Sequence, residues 1–366
     1  MASFPPKKGI IRNLCAVRGN RVIAGPGKVL CPGIVVFDER SGNIVAVDSS
    51  LENIALPECA FVERIYRAEV VVAGFIDIHN HGIGSSVSND VMRYWCDPQY
   101  TLSRLPENGT TATLATLVFC DKRRADLDAC CCALEQEMKC RRPFSAILEG
   151  VHAEGPVICT RGGLPDSSLM AGGSDASFDE LLDAIPSLRI MTISPSLERD
   201  RNYSRLRLLL HRGVRPSLGH DKECSEDDIL GALRAAGSAS RLHLTHAFNV
   251  QHFHHRDHGL ANFALASKFP KLEKYNNCLP PTAEFICDFH HCSPLVISTL
   301  IEARRGEDIC CITDAIAEAA CGKEVVYTGR RAMSDAETVR DEHGTLWYVI
   351  YFFLSLFLYF SHVIFL

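Results

Sequence analysis

From residue 70 to residue 315 the chain repeats one pattern: a short apolar run, a polar residue at its end and, in most cases, a helical stretch. The runs are VVVAGFIDIHNH, TATLATLVF, SAILEGVHAEG, LRIMTISPSLE, RPSLGHD, RLHLTHAF, AEFICDFHH and DICCITDA. Between them KRRADLDACCCALEQEMK, FDELLDAI, YSRLRLLLHRG, SEDDILGALRAAG and PLVISTLIEARRG carry apolar residues at helical spacing. Strands alternating with helices predict a parallel sheet. Eight such units are the count of a (β/α)8 barrel of the TIM type. Several runs end in residues suited to chemistry: His79 and His81, Glu154, His220, His246, His291 and Asp314. A doubly wound sheet would collect such residues at one crevice. Their recurrence round the whole series favours the barrel, which builds its active site at the C-terminal strand ends.

The residues before this series read differently. From residue 9 to about 72 they form short β-rich runs with turn punctuation, and GIVVFDERSGNIVAV is a hairpin with a Ser-Gly-Asn turn. The expected organisation is a small β domain over 1–72, the barrel over 73–340 and a divergent apolar segment over 341–366. A net charge of −6 without a compensating basic stripe argues against nucleic acid as partner and favours a small molecule. The 17 cysteines include Cys130-Cys131-Cys132 and Cys310-Cys311 and lack the spacing of a disulfide framework. With no apolar signal segment in MASFPPKKG, reduced thiols in a cytoplasmic protein are expected. The Cys130 triplet lies in a helical stretch and is expected to pack.

His79 and His81 stand at i and i+2 on a strand and so face the same way. Imidazoles bind divalent transition metals, although an H-x-H pair alone is weak evidence. Glu154 by itself is equally consistent with a turn cap, and His220 or His246 with a rim histidine bonded to a loop carbonyl. Together Glu154, His220 and His246 supply one carboxylate and two imidazoles, the donor set of a catalytic metal centre with an open position. His79 and His81 extend it to five ligands, enough for two metals sharing a carboxylate. Asp314, the last polar strand end, is suited to act as general base and to pass a proton to a leaving group.

The series GFIDIHNHG, HAEGP, SLGH, THAFN, FHHRD and TDA resembles the amidohydrolase superfamily, and within it the N-acetylglucosamine-6-phosphate deacetylases, particularly their eukaryotic form. The resemblance runs from the N-terminal β domain to about Leu346. It implies a barrel beside a small β-sandwich, and hydrolysis of the acetamide of N-acetylglucosamine 6-phosphate to glucosamine 6-phosphate and acetate. It makes Glu154, His220 and His246 the metal ligands, Asp314 the catalytic aspartate, and His79 and His81 the pair that binds a second metal where there is one. Asn249, Arg256 and His291 match the segments that hold the sugar phosphate. The implied cofactor is a divalent metal, one or two per chain, with zinc the preferred candidate ahead of iron, manganese or cobalt. Homodimerisation is a further implication.

Four departures qualify the match. Leu164 stands where the family carries a histidine thought to polarise the substrate carbonyl, and losing such a donor typically costs ~10²-fold or more in rate. A second metal at His79 and His81 would offset that loss. His258-Gly259 replaces Pro-Gly after FHHRD, and Phe289 replaces a glycine. After Leu346 the chain turns into WYVIYFFLSLFLYFSHVIFL, residues 347–366, with no Asp, Glu, Lys or Arg. That length and composition would span a bilayer. A truncated or mis-spliced product is the stronger expectation, and membrane contact through 347–366 the weaker. Two other functions stay open: an amidohydrolase with another amide substrate, and an inactive isoform.

Overall fold

The computed structural model describes residues 12–25, 27–57, 60–82, 91–119, 123–140, 142–164, 175–289 and 291–315. Beyond these it gives the backbone of strands at 325–327, 330–334, 338–341, 346–348 and 363–365. Two compact units adjoin in sequence at Phe75 and Ile76.

The first unit is built from β1 (Arg12–Gly25), β2 (Lys28–Leu30), β3 (Gly33–Phe37), β4 (Ile44–Asp48) and β5 (Ala60–Val72). The expected hairpin is β3–β4, paired antiparallel from Ile34 opposite Asp48 to Phe37 opposite Ile44. Alternation along β1 sends Leu14 and Ala16 to one face and Val17 to the other. Each face buries its own cluster: Leu14, Ala16, Ile34 and Val36 on one, Val17, Val22, Val35 and Val71 on the other.

The largest described sheet has eight strands: β6 (Phe75–Asp77), β7 (Thr110–Val118), β8 (Ile147–Glu154), β9 (Leu188–Ile193), β10 (Arg215–Leu218), β11 (His243–Leu244), β12 (Thr282–Ile286) and β13 (Ile309–Ile312). They lie side by side in sequence order. The recorded pairings from β7 to β13 are all parallel. The ends of the series meet: the Asp314 amide donates to the His79 carbonyl at 2.9 Å, and the His81 amide to the Ala315 carbonyl at 2.8 Å. Eight parallel strands with first joined to last make the expected barrel. Each strand candidate read from the sequence overlaps one of these strands.

The helices are α1 (Pro98–Arg104), α2 (Arg124–Glu137), α3 (Asp175–Ala184), α4 (Ser204–His211), α5 (Glu226–Ala236), α6 (Leu260–Ala264) and α7 (Pro294–Arg304). Five were legible as periodic stretches; α1 and α6 are too short to show a period. Ser225 begins α5 with a capping box, its hydroxyl accepting from the Asp228 amide while Asp228 accepts from the Ser225 amide.

After β13 the described backbone turns into an antiparallel meander: β14 (Val325–Tyr327), β15 (Arg330–Ser334), β16 (Thr338–Asp341) and β17 (Leu346–Tyr348). Strand β18 (Val363–Phe365) pairs parallel with Val70–Val72 of β5, adding a strand to the first sheet. Residues 349–362, most of the expected apolar segment, lie outside the described residues. Among the described residues no helix is long and apolar enough to cross a membrane.

The barrel interior is polar near the site and tightly filled. A Cβ added at Gly219 would lie 2.8 Å from Cβ of Thr245 and 3.1 Å from Cγ2 of Thr192. Gly219→Ala therefore overpacks a layer beside His220, which should cost ~1–3 kcal/mol, measured by chemical denaturation of the metal-free protein.

Candidate metal centre

Five of the eight strand ends present the parts of the cluster. His79 and His81 follow β6, Glu154 ends β8, His220 and His246 lie two residues past β10 and β11, and Asp314 lies two residues past β13. His220, His246 and Asp314 have positive φ, at 51°, 29° and 50°. Left-handed backbone is unfavourable for side chains bearing a Cβ and tends to be held at functional sites by surrounding structure. The turn it makes brings each side chain to the strand-end cluster.

Glu154 is the hub. Its Oε1 lies 2.8 Å from Nε2 of His220, 3.0 Å from Nε2 of His246 and 3.5 Å from Nε2 of His79. Its Oε2 lies 3.1 Å from Nε2 of His81. Asp314 Oδ1 reaches the same Nε2 atoms of His79 and His81, at 3.3 and 3.1 Å. His79 is fully buried and Glu154 is 3% exposed, whereas the Asp314 side chain keeps 17% of its surface open.

The proton inventory decides what this cluster is for. A carbonyl can only accept, so His220 Nδ1, 3.0 Å from the Thr160 carbonyl, carries the proton. His79 Nδ1 likewise donates to Glu284 Oε1 at 2.6 Å. In neutral rings the opposite nitrogens then point lone pairs at the lone pairs of Glu154 and Asp314. The Nε2 atoms of His220 and His246 also face each other at 2.9 Å. His79 Nε2 is buried without a hydrogen-bond partner. Converging acceptors with an orphaned ring nitrogen fit a cation, and the His–carboxylate pair of His79 and Glu284 is the arrangement that orients metal-ligating histidines. Among the described residues two groups around Glu154 satisfy the distances: Glu154 with His220 and His246, and Glu154 with His79 and His81.

A third grouping, His79 with His152 and Glu284, does not compete. Both nitrogens of His152 are taken, Nδ1 by the Ile78 carbonyl and Nε2 by Oγ1 of Thr192, each at 3.0 Å. Burial and the neighbouring His79 push its pKa down to about 3, so it stays neutral. His152, Glu284 and His243 form a supporting layer below the cluster, with His243 Nε2 at 3.2 Å from Glu284 Oε2. Sequence reasoning missed Glu284. Its only signal is a carboxylate amid the apolar run of AEFICD, which demands a buried partner.

Without metal, protons hold the cluster together. Burial opposes charge on His79, but Asp314, Glu284 and Glu154 raise its pKa well above the usual value. His81 is raised against burial by Asp314 and Glu154. Burial would raise Glu154, yet His79 and His220 hold it well below the usual carboxylate range. Asp314 is also lowered against burial, by His79 and His81.

The residues expected to hold substrate are more scattered. Asn249 is half-buried in the turn after His246, its amide donating to the His246 carbonyl at 2.9 Å. Arg256 is exposed on the loop between β11 and α6, outside the cluster. His291 is clamped by Asp288, with Nδ1 at 2.7 Å from Oδ2. Leu164 is buried in the loop after β8. Phe289 has φ of 63°, a conformation a glycine would take without strain. His258 Nδ1 sits 3.3 Å from Oε1 of Glu226.

No family model matches the chain. Among curated proteins, N-acetylglucosamine-6-phosphate deacetylase of rat is 27% identical over 339 residues, spanning 91% of this chain and 73% of its own length. The human enzyme is 28% identical, over 86% of this chain and 69% of its own. Its homologues are N-acetylglucosamine-6-phosphate deacetylases. The Bacillus subtilis deacetylase is 28% identical over 68% of this chain and 58% of its own length. The solved deacetylase of Mycobacterium smegmatis superposes with a TM-score of 0.64 at 26% identity, covering 84% of this chain and 78% of that one. The deacetylase from Thermotoga maritima shares the fold at 23% identity, with a TM-score of 0.66 over 94% of this chain and 81% of that one.

Removing the charge of Glu284 should loosen the site without deleting a ligand. Glu284→Gln is expected to weaken divalent-metal affinity ~10–100-fold, measured by chelator competition. Metal must displace the protons on His79 and His81, so affinity should rise with pH. The rise should continue above ~6.5, the ordinary histidine value, with protons released on binding; a titration across that range checks the sign.

Proposed function

We propose that this chain is a metal-dependent deacetylase that hydrolyses the acetamide of N-acetyl-D-glucosamine 6-phosphate to glucosamine 6-phosphate and acetate. The observation that carries the reading is the Glu154 carboxylate, with four imidazole nitrogens around it and Asp314 across from two of them. The deacetylase homologues support it independently. A further support is the Mycobacterium smegmatis deacetylase structure, an aspartate-to-alanine mutant in complex with N-acetyl-D-glucosamine-6-phosphate, whose likeness to this chain at 23% identity is one of fold.

Glu154, His220 and His246 would hold one divalent metal, and His79 and His81, with Glu154, would hold a second; zinc is the proposed ion. When bound, the metal polarises the amide carbonyl and brings the pKa of water towards ~7. Asp314 takes a proton from water and passes it to the departing amine, turning a poor leaving group into glucosamine 6-phosphate. Glu284 and the Thr160 carbonyl fix the rings of His79 and His220. Asn249, Arg256 and His291 bind the sugar phosphate, for which the planar guanidinium of Arg256 offers two donors. Leu164 stands in place of a polarising histidine and offers no hydrogen bond to the carbonyl oxygen; Lewis-acid stabilisation there would be supplied by metal held at Glu154 and its neighbouring histidines. The protein acts in the cytoplasm as a homodimer; membrane contact through 347–366 is the minor alternative.

Asp314→Asn is the direct test, because asparagine tolerates left-handed backbone and the substitution removes only the base. Acetate release from the metal-loaded chain should fall ~10²–10⁴-fold at unchanged metal content. Equal rates would overturn the assignment.

A further inference from the structure

We propose that Cys96 and Cys130 form a reversible disulfide, a modification site separate from the metal cluster, with a low-molecular-weight disulfide of the glutathione type as oxidant. Cys96 closes the short 3-10 helix Val91–Cys96, and Cys130 lies at mid-length of α2. Their sulfurs are 3.1 Å apart. A bonded pair sits at about 2.05 Å, so closure needs roughly one ångström of movement. Cys130 is 1% exposed and unreachable from solvent, whereas Cys96 is partly exposed.

The pair is also chemically divided. The hydrogen bond from Cys130 lowers the Cys96 thiol to about 7 against burial, with the Arg93 guanidinium helping. The same bond and burial raise Cys130. Reactivity in exchange follows the thiolate, so Cys96 attacks and Cys130 resolves. Cys96 as thiolate displaces one RS⁻ from RSSR and leaves a mixed disulfide. Cys130 loses its proton, its sulfur attacks Cys96 Sγ, and the second RS⁻ departs. Two protein thiols are oxidised, one RSSR is reduced, and both protons end on the two RSH released.

The bond would fasten a specific wall. Trp95, beside Cys96, is buried and donates from Nε1 to the Asn80 carbonyl at 3.2 Å. A Cβ built at Gly82 would lie 2.9 Å from Cβ of Tyr94. The segment 91–96 thus packs on the strand end that carries His79 and His81, and the disulfide ties that segment to α2.

The full-length metal-loaded chain, reduced and then exposed to glutathione disulfide, tests this. Quenching with N-ethylmaleimide in denaturant and mapping peptides without reduction should yield a Cys96–Cys130 linked pair. The melting temperature should rise and return to its starting value with dithiothreitol. Cys130→Ser should instead trap glutathione on Cys96 and show no rise. Maleimide on both Cys96 and Cys130 of the wild type, while exposed Cys31, Cys132 or Cys140 carries glutathione, would overturn the proposal. So would glutathione retained on wild-type Cys96 without the linked peptide.

Discussion

Closing eight strands on themselves is the constraint from which the site follows. Asp77 ties the seam: it accepts from the amides of His79 and Thr313, from Asn80 Nδ2 at 3.0 Å and from the Thr313 hydroxyl. A buried carboxylate costs free energy unless it is well satisfied, and burial pushes this one up to about 6 despite its donors. The donors come from both ends of the barrel, so this cost is met only when the ends meet. Their meeting brings Asp314 within reach of His79 and His81, though Asp314 and His81 lie 233 positions apart in sequence.

Below the cluster the barrel is not an apolar plug. Thr192, Thr245 and Ser217 pass hydrogen bonds between strands at 2.9 and 2.6 Å, and His152 joins them to Ile78. Such networks hold side chains in one arrangement when every member is satisfied. This fixes the supporting rings before any ligand arrives. The apolar core lies elsewhere, in residues such as Leu134, Phe178, Leu206 and Leu233 on the helices.

The barrel was legible because its strands are apolar and its helices amphipathic, so each period shows in one dimension. The five candidate ligands and Asp314 were legible for a related reason: each is polar where an apolar run stops, and closure brings such ends together. What the linear pattern lacks is the partner that satisfies a group inside a run. Glu284 and Asp77 sit in apolar runs, and their partners come from strands distant in sequence. Arg256 is the opposite case, since its exposed loop gives the residue chemistry without position. The tail's composition suggested only a bilayer length, and hydrogen bonding to β5 gives its last described residues a place in a sheet.

The left-handed backbone at His220, His246 and Asp314 means that these positions are selected twice, by side-chain chemistry and by torsion. Variation there should be asymmetric. Asparagine can lose the function and keep the turn, while valine or isoleucine loses both, because a branched Cβ penalises positive φ most severely. Loss of activity in a β-branched variant would therefore report on the shape of the chain as much as on the missing imidazole or carboxylate. For anyone choosing substitutions, the informative replacements here are those that respect torsion, whatever their resemblance in size.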